Sequence, residues 1–553
     1  MTTYELRSLK LPKLTGTPLK IFARAVNSKI GQSLLVNSLL ENAGVSKLRN
    51  SVFHEPPTLL PLVRTEMGQL NPREGFEPGA PPDDFPYQTA LDFTSAYLEG
   101  KTSPPAVAER ILAAIQASDE GERPMRMFIA IQRDDLFAQA QSSAERYKNG
   151  SILGPLDGVP VAVKDEVDMV PYPTTGGTTF LGKKPASEDS SVVARLRAAG
   201  ALLIGKANMY EIGINPNGFN RHYGTVRNPF NLDCDPGGSS SGSAAVVASG
   251  IAPLAVGADG GGSIRIPAAL CGVVGLKPTY GRVPGYGAVP LCWSMGHLGP
   301  IAASVGDTAL GYEILAGPDP RDPVSLVQPP INLANWARAD LKGVRMGIYP
   351  VWFEHASPEI VQTCRAMVSQ FKQAGAEVHE IEIAHLDEMR IAHAITILSE
   401  MAINLHEYRD TFDELADPVQ INLMVGKVLT AVDYLKAQQV RTQALAVFER
   451  LFQDVDVILT PATAQTAPPF PKGGLPDGYS DLSTVTELMR FIVPANLTGL
   501  PAISFPAGYD SKGLPIGFQA MGRHWEEHLL LRVAYNAEQI VQRRTPENHF
   551  RIL

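Results

Sequence analysis

The stretch CDPGGSSSGSAAVVASGIAPLAVGADGGGSIRIPAALCGVVGLKPT, Cys234–Thr279, decides how the rest of the chain is read. It holds two Gly/Ser clusters, Gly237–Ser243 and Gly260–Ser263, joined by the small, mostly apolar segment Ala244–Ala258. Flexible Gly/Ser linkers keep a polar character, whereas this joining segment reads as buried core. A phosphate-cradling Walker loop needs Gly-Lys-Ser/Thr, and Gly262-Ser263-Ile264-Arg265 lacks the lysine. What remains is a serine among glycines, a reachable hydroxyl surrounded by backbone N–H groups that no side chain covers. Acyl transfer needs that equipment: a nucleophile, with donors aimed at a developing oxyanion.

Outward from this stretch the pattern is strand and helix in turn. Gly158–Val163 reads as a short strand ending at Lys164. Ser190/Ser191 to Ala199 reads as a helix closed by Gly200, and Ala201–Ile204 as a buried strand. That rhythm predicts α/β architecture. Leu91–Leu98 reads as a helix, and Ser103 caps another with Pro104 at its first position and Val107, Ile111 and Ile115 on one face. Downstream, Val344–Tyr349, Asp456–Thr460 and Pro501–Pro506 read as strands, and Glu359–Ala374 and Glu487–Asn496 as helices.

The chain has 553 residues, 44% of them hydrophobic and 19% charged, a globular balance with room for one large domain or two ordinary ones. A net charge of −9 argues against a general nucleic-acid binder. The four cysteines, Cys234, Cys271, Cys292 and Cys364, form no C-x-x-C pair, so reduced thiols and no metal site are expected. No apolar run reaches the roughly eighteen residues of a membrane span, and no signal-peptide core opens the chain. The expected location is intracellular, cytosolic or peripheral on a membrane.

Residues 1–50 differ from the rest, with eight Lys/Arg against two Glu. Leu19, Phe22 and Val26 make one apolar stripe, and Ile30, Leu34, Leu35, Leu39 and Leu40 a second, which predicts two short amphipathic helices. A basic amphipathic helix suits an anionic lipid surface or a cover over a substrate channel; packing on the body or on a second subunit is the alternative. Eight prolines between His54 and Pro86 exclude a helix or central strand there. The expected organisation is an arm over 1–53, an extended connector over 54–86 and a catalytic domain over 87–553.

The Gly-Gly-Ser-Ser segment at Gly237–Ser240, followed by Gly-Gly-Ser-Ile-Arg at Gly261–Arg265, resembles the hallmark of the amidase signature family. The spacing of Lys164, Ser239 and Ser263, 75 and then 24 residues apart, agrees with that family's pattern. Many members carry Gly-Gly where this chain has Ser241-Gly242. Leu11–Gly16, Leu386–Ala394 (LDEMRIAHA), Leu488–Phe491 and Gly513–Gly522 (GLPIGFQAMG) are similar to the plant-type fatty acid amide hydrolases, so the resemblance covers essentially the whole chain. It implies an amidase-signature fold, a large mixed sheet between helices, with an N-terminal helical arm. It also implies a homodimer that associates with membranes, no cofactor, and hydrolysis of lipophilic amides such as N-acylethanolamines.

The resemblance assigns Ser263 as nucleophile, Lys164 as base and Ser239 as the proton bridge between them. A buried lysine can lose its proton readily enough to serve as a base, and no histidine is needed. Backbone N–H groups of Gly260, Gly261, Gly262 and Ser263 are the expected oxyanion donors. Asp259 and Arg265 are expected to hold the loop's shape, Ser240 to support it, and Gly213 to line the substrate site through its backbone. On the same triad, a small-amide or aryl amidase is the first alternative. A glutaminase-type amidotransferase component is the second.

Overall fold

A computed structural model describes residues 4–8, 13–28, 31, 35–63 and 79–553. Its organising element is a mixed sheet of eleven strands. In chain order these are β1 (Phe128–Ala130), β2 (Pro160–Lys164), β3 (Leu202–Ala207), β4 (Leu254–Asp259), β5 (Val274–Lys277) and β6 (His297–Ala302). There follow β7 (Arg345–Ile348), β8 (Glu377–Glu380), β9 (Val457–Pro461), β10 (Ala502–Tyr509) and β11 (Pro515–Gly522). Across the sheet the order is β1-β3-β2-β4-β6-β5-β10-β11-β9-β7-β8. β2 runs parallel to both its neighbours, β3 and β4, whereas β4 and β6 are antiparallel.

The central position of β2 follows from its residues. Val161, Ala162 and Val163 are fully buried, and β-branched side chains suit a strand covered on both faces. Pro160 stands at the first residue, where the missing N–H does least harm. The strand ends on Lys164, whose ammonium is thereby carried into the interior. The helix Ser241–Ala248 is buried along its whole length and has no polar face, as its small side chains allow. It lies directly before β4, and β4 runs out at Asp259 into the glycine loop.

Glu487–Asn496 is not one helix. Leu482–Met489 and Val493–Thr498 are separate helices, and Pro494 lies in the first turn of the second. A proline inside a continuous helix would remove a hydrogen bond and clash with the preceding turn, so the chain restarts there.

In the arm, Gly16–Asn27 is helical with Leu19, Ala23 and Val26 buried. Ile30 and Leu34 of the second stripe, and Leu11 and Pro12, lie outside the described residues. Asn37–Asn42 is helical, and Val45–Asn50 adds a helix that the stripes did not announce. The apolar faces point inward. Leu19 and Ala23 pack with Ile421, and Val26, Leu40, Val45 and Leu48 join a core with Met389, Ile391, Ala437 and Val440. Four of the basic residues are also engaged with the body. Lys13 pairs with Asp481 (2.6 Å), Lys20 with Asp477 (2.9 Å), Lys47 with Asp387 (3.1 Å) and Glu388 (3.0 Å), and Arg49 with Asp433 (2.8 Å). Leu14–Thr15 forms a two-stranded ribbon with Tyr479–Ser480. Of the connector, Thr58 and Glu55 bond along the helix Ala431–Asp454, through Gln438 and Gln439.

Candidate active site

The ends of β2 and β4 and the loop ahead of Ser241–Ala248 converge on one cavity, lined by Lys164, Glu166, Gly213, Ser239, Asp259, Gly260, Gly261 and Ser263. Lys164 is 1% exposed, and its Nζ donates to Ser239 Oγ at 2.9 Å and to the Ala258 carbonyl at 3.3 Å. The peptide bond between Gly238 and Ser239 is cis. Ser240 N–H donates to the Ser263 carbonyl at 3.2 Å, which ties the two serine loops together. The Ser240 hydroxyl bonds to Ala258 through both its carbonyl and its N–H, each at 3.2 Å, and so braces the last turn of β4. Gly213 has φ +68°, and a Cβ there would stand 3.2 Å from Ser239 Oγ. A side chain at 213 would therefore crowd the hydroxyl, and its absence keeps that hydroxyl accessible.

The glycine loop is held from behind by a buried ion pair. Arg265 Nε lies 3.0 Å from Asp259 Oδ2, both side chains completely buried. Asp259 also accepts from the N–H groups of Gly262 (2.6 Å) and Ile264 (3.2 Å) and from Asn496 Nδ2 (2.8 Å). Arg265 goes on to Gln519 Oε1 (2.8 Å) and the Ile492 carbonyl (3.2 Å). Burial by itself would raise the Asp259 carboxyl, but the Arg265 guanidinium overrides it and holds the group far below the usual carboxylate range. The loop is thus anchored by a permanent charge with its acceptors filled.

One expectation needs correction. The N–H of Gly262 is spent on Asp259 and does not face the cavity. Gly262 has φ +103°, and a Cβ there would lie 2.5 Å from Ile492, so this glycine serves the turn itself. Among the described residues the N–H groups of Gly260, Gly261 and Ser263 have no hydrogen-bond partner.

Two residues of the site carry no assignment from sequence. Glu166 Oε2 lies 2.7 Å from Lys164 Nζ. Glu166 stands in the turn that follows the strand, beyond the reach of strand periodicity, so the sequence pattern carried no signal for it. His393, on the helix Leu386–Asn404, donates from Nε2 to the Gly260 carbonyl at 2.9 Å. Burial lowers this imidazole to about 4, so it is neutral near pH 7 and carries its proton toward that carbonyl. His222 and His297 stay out of the cavity: His222 pairs with Glu211 (2.6 Å) and His297 bonds the Met295 carbonyl (2.6 Å). Most of the remaining wall is apolar, with Ile214, Leu291, Ile397, Met401 and Met489, and Asn215 is its one polar amide side chain among the lining residues. Among the described residues no His/Cys/Asp/Glu group could hold a metal ion, and no helix is long and apolar enough to cross a membrane.

A family model described as Amidase matches residues 108–531. The chain is 38% identical to a fatty acid amide hydrolase of Oryza sativa subsp. indica, covering 97% of this chain and 94% of the relative. A fatty acid amide hydrolase of Medicago truncatula is 37% identical, covering all of this chain and 96% of the relative. Among solved structures, a peptide amidase in complex with the competitive inhibitor chymostatin superposes with a TM-score of 0.71 at 28% identity, covering 84% of this chain and all of that one.

Proposed function

The chain belongs to the amidase family and is an amidohydrolase, and we propose from that premise that it cleaves fatty acid amides, N-acylethanolamines among them, through Lys164, Ser239 and Ser263. Ser263 Oγ attacks the amide carbonyl and forms the acyl-enzyme. Ser239 takes the proton from Ser263 and passes it to Lys164, with which it is already hydrogen-bonded. On collapse of the tetrahedral intermediate the proton returns through Ser239 to the amine, which must be protonated to leave. The N–H groups of Gly260, Gly261 and Ser263 receive the oxyanion; one such donor is worth about 2.7–4 kcal/mol. Water then repeats the sequence on the acyl-enzyme.

The observation that carries the substrate reading is the wall beside Ser263. Ile214, Leu291, Ile397, Met401 and Met489 suit an acyl chain, at about 0.8 kcal/mol for each CH₂ buried. The near full-length likeness to fatty acid amide hydrolases supports the same reading. A glutaminase would need a cation for the α-carboxylate of glutamine, and among the described residues the one cation lining the cavity, Lys164, is already paired. A homodimer with peripheral membrane contact rests on the likeness alone. The inward stripe and the ion pairs of Lys13, Lys20, Lys47 and Arg49 favour a structural role for the described part of the arm over contact with lipid.

The test is hydrolysis by the purified protein of N-acylethanolamines of increasing chain length beside glutamine. kcat/KM should climb with chain length, and glutamine should be left intact. Turnover of glutamine or of short amides with no preference for long chains overturns the reading.

A further inference from the structure

The reaction above leaves the Glu166 carboxylate without a role. Its Oε2 lies 2.7 Å from Lys164 Nζ, and its side chain, 13% exposed, is part of the cavity wall. Lys164 Nζ is also 2.9 Å from Ser239 Oγ. The carboxylate therefore stands within about 6 Å of the hydroxyl that would protonate the leaving amine, close enough for unscreened charge to count. In the proposed reaction Ser239 hands its proton to the amine, so a carboxylate beside it would lie on the amine side of the scissile bond.

The charges around it are unbalanced. Among the described residues the cavity wall carries one cation, Lys164, and two carboxylates, Glu166 and Asp259. Asp259 is neutralised from behind by Arg265. Lys164 is committed to Glu166 and to Ser239. Nothing cationic remains for an anionic substrate group.

We infer that Glu166 sets the charge preference of the amine side: the site takes amides of neutral or cationic amines and rejects those whose amine carries a carboxylate beside the scissile bond. The inference rests on the proposed function. In an N-acylglycine the carboxyl carbon is two bonds from the amide nitrogen, so the carboxylate enters beside Glu166. There it is stripped of water without a partner and meets a like charge. An ethanolamine hydroxyl in the same place can donate to the Glu166 carboxylate, and the ammonium of a short diamine can pair with it.

The experiment uses three amides of one long acyl chain, made with ethanolamine, with glycine and with ethylenediamine. The readout is the ratio of their kcat/KM values within each enzyme, so a general loss of activity through Lys164 cancels. The wild type should favour the ethanolamide over the glycine conjugate by about a hundredfold or more, given the several kcal/mol that like charges cost. Glu166→Gln should narrow that ratio at least about tenfold, and should lower the diamine amide relative to the ethanolamide. Glu166→Asp, which keeps the charge, should keep the preference. A wild type that cleaves the glycine conjugate as readily as the ethanolamide overturns the inference even if Glu166→Gln does not fold. An unchanged ratio in a folded Glu166→Gln overturns it too. In both cases the fatty-amide reading stands. A wild type that cleaves none of the three overturns both.

Discussion

His393 offers a test of the oxyanion loop from outside the loop. Carbonyl and N–H of one peptide unit point in opposite directions in a shared plane. By gripping the Gly260 carbonyl at 2.9 Å, His393 fixes that peptide plane and so the direction of the Gly261 N–H, one of the proposed oxyanion donors. The ring also packs on the loop, since a Cβ on Gly261 would meet His393 Cε1 at 2.9 Å. His393→Ala leaves the Gly260 carbonyl without its donor, at a stability cost of about 1–3 kcal/mol, and frees the peptide to turn. If Gly261 N–H then no longer meets the oxyanion, kcat falls about 10²–10³-fold, the cost of one lost donor. Since the donor acts on the transition state and not on the bound amide, KM should change little and the loss should be the same for short and long acyl chains. His393→Gln, which keeps an N–H in reach, should recover part of kcat. Steady-state kinetics alongside a thermal melt separate the two effects. A His393→Ala enzyme with a lowered melting temperature but wild-type kcat would show that the loop keeps its aim unaided, and the reasoning would fail.

Lys164→Ala should abolish measurable amide hydrolysis while leaving the chain folded; near wild-type turnover in the same assay would make the lysine structural only. Gly262→Ala forces a Cβ to 2.5 Å from Ile492 at φ +103° and should lower kcat by an order of magnitude or more, with retention of wild-type kcat counting against the turn's role. Leu48→Ala, 1% exposed on the arm's buried face, should cost about 2–5 kcal/mol, read as a denaturation midpoint shift; no shift would mean the arm packs loosely. Burial pushes Asp307 up to about 7 in the fold, against an ordinary carboxyl near 4, so its contribution is full below about pH 4 and is lost as pH rises through 7. Buried His393 and His524, both lowered to about 4, act in the opposite sense between about pH 4 and 6.5. The contributions of buried Glu538, raised to about 7, and Asp235, raised to about 6, fall as that of Asp307 does. Asp307→Asn removes its own falling share, so its melting temperature should gain on the wild type from pH 4 to 7, and parallel curves would refute the assignment.

What could be read from sequence was what local rules dictate. The valines before Lys164 specify a buried strand, and the glycines around Ser263 a bare loop, because propensity and the lack of side chains act over a few residues. The glycine loop's supports come from far away. His393 reaches Gly260 across 133 positions, and Asn496 reaches Asp259 across 237. The arm shows the same limit. Its excess of lysine and arginine looks like a solvated or lipid-facing surface until Asp433, Asp477 and Asp481 are brought against it by the fold. Its apolar stripes mark helices in either setting, since a buried face and a membrane face have one periodicity. The donor lost from the loop, Gly262 N–H, was hidden for a different reason: whether a glycine N–H faces cavity or carboxylate depends on φ, which composition does not reveal.

The central claim is that Ser263, and no other serine of the two clusters, becomes acylated. A long-chain fluorophosphonate reacted with the full-length protein, followed by digestion and peptide mass spectrometry, tests it directly. The account predicts one adduct per chain, on Ser263, and none on Ser263→Ala. An adduct on Ser239, Ser240, Ser241 or Ser243 in the wild type, or undiminished labelling of Ser263→Ala, would contradict it.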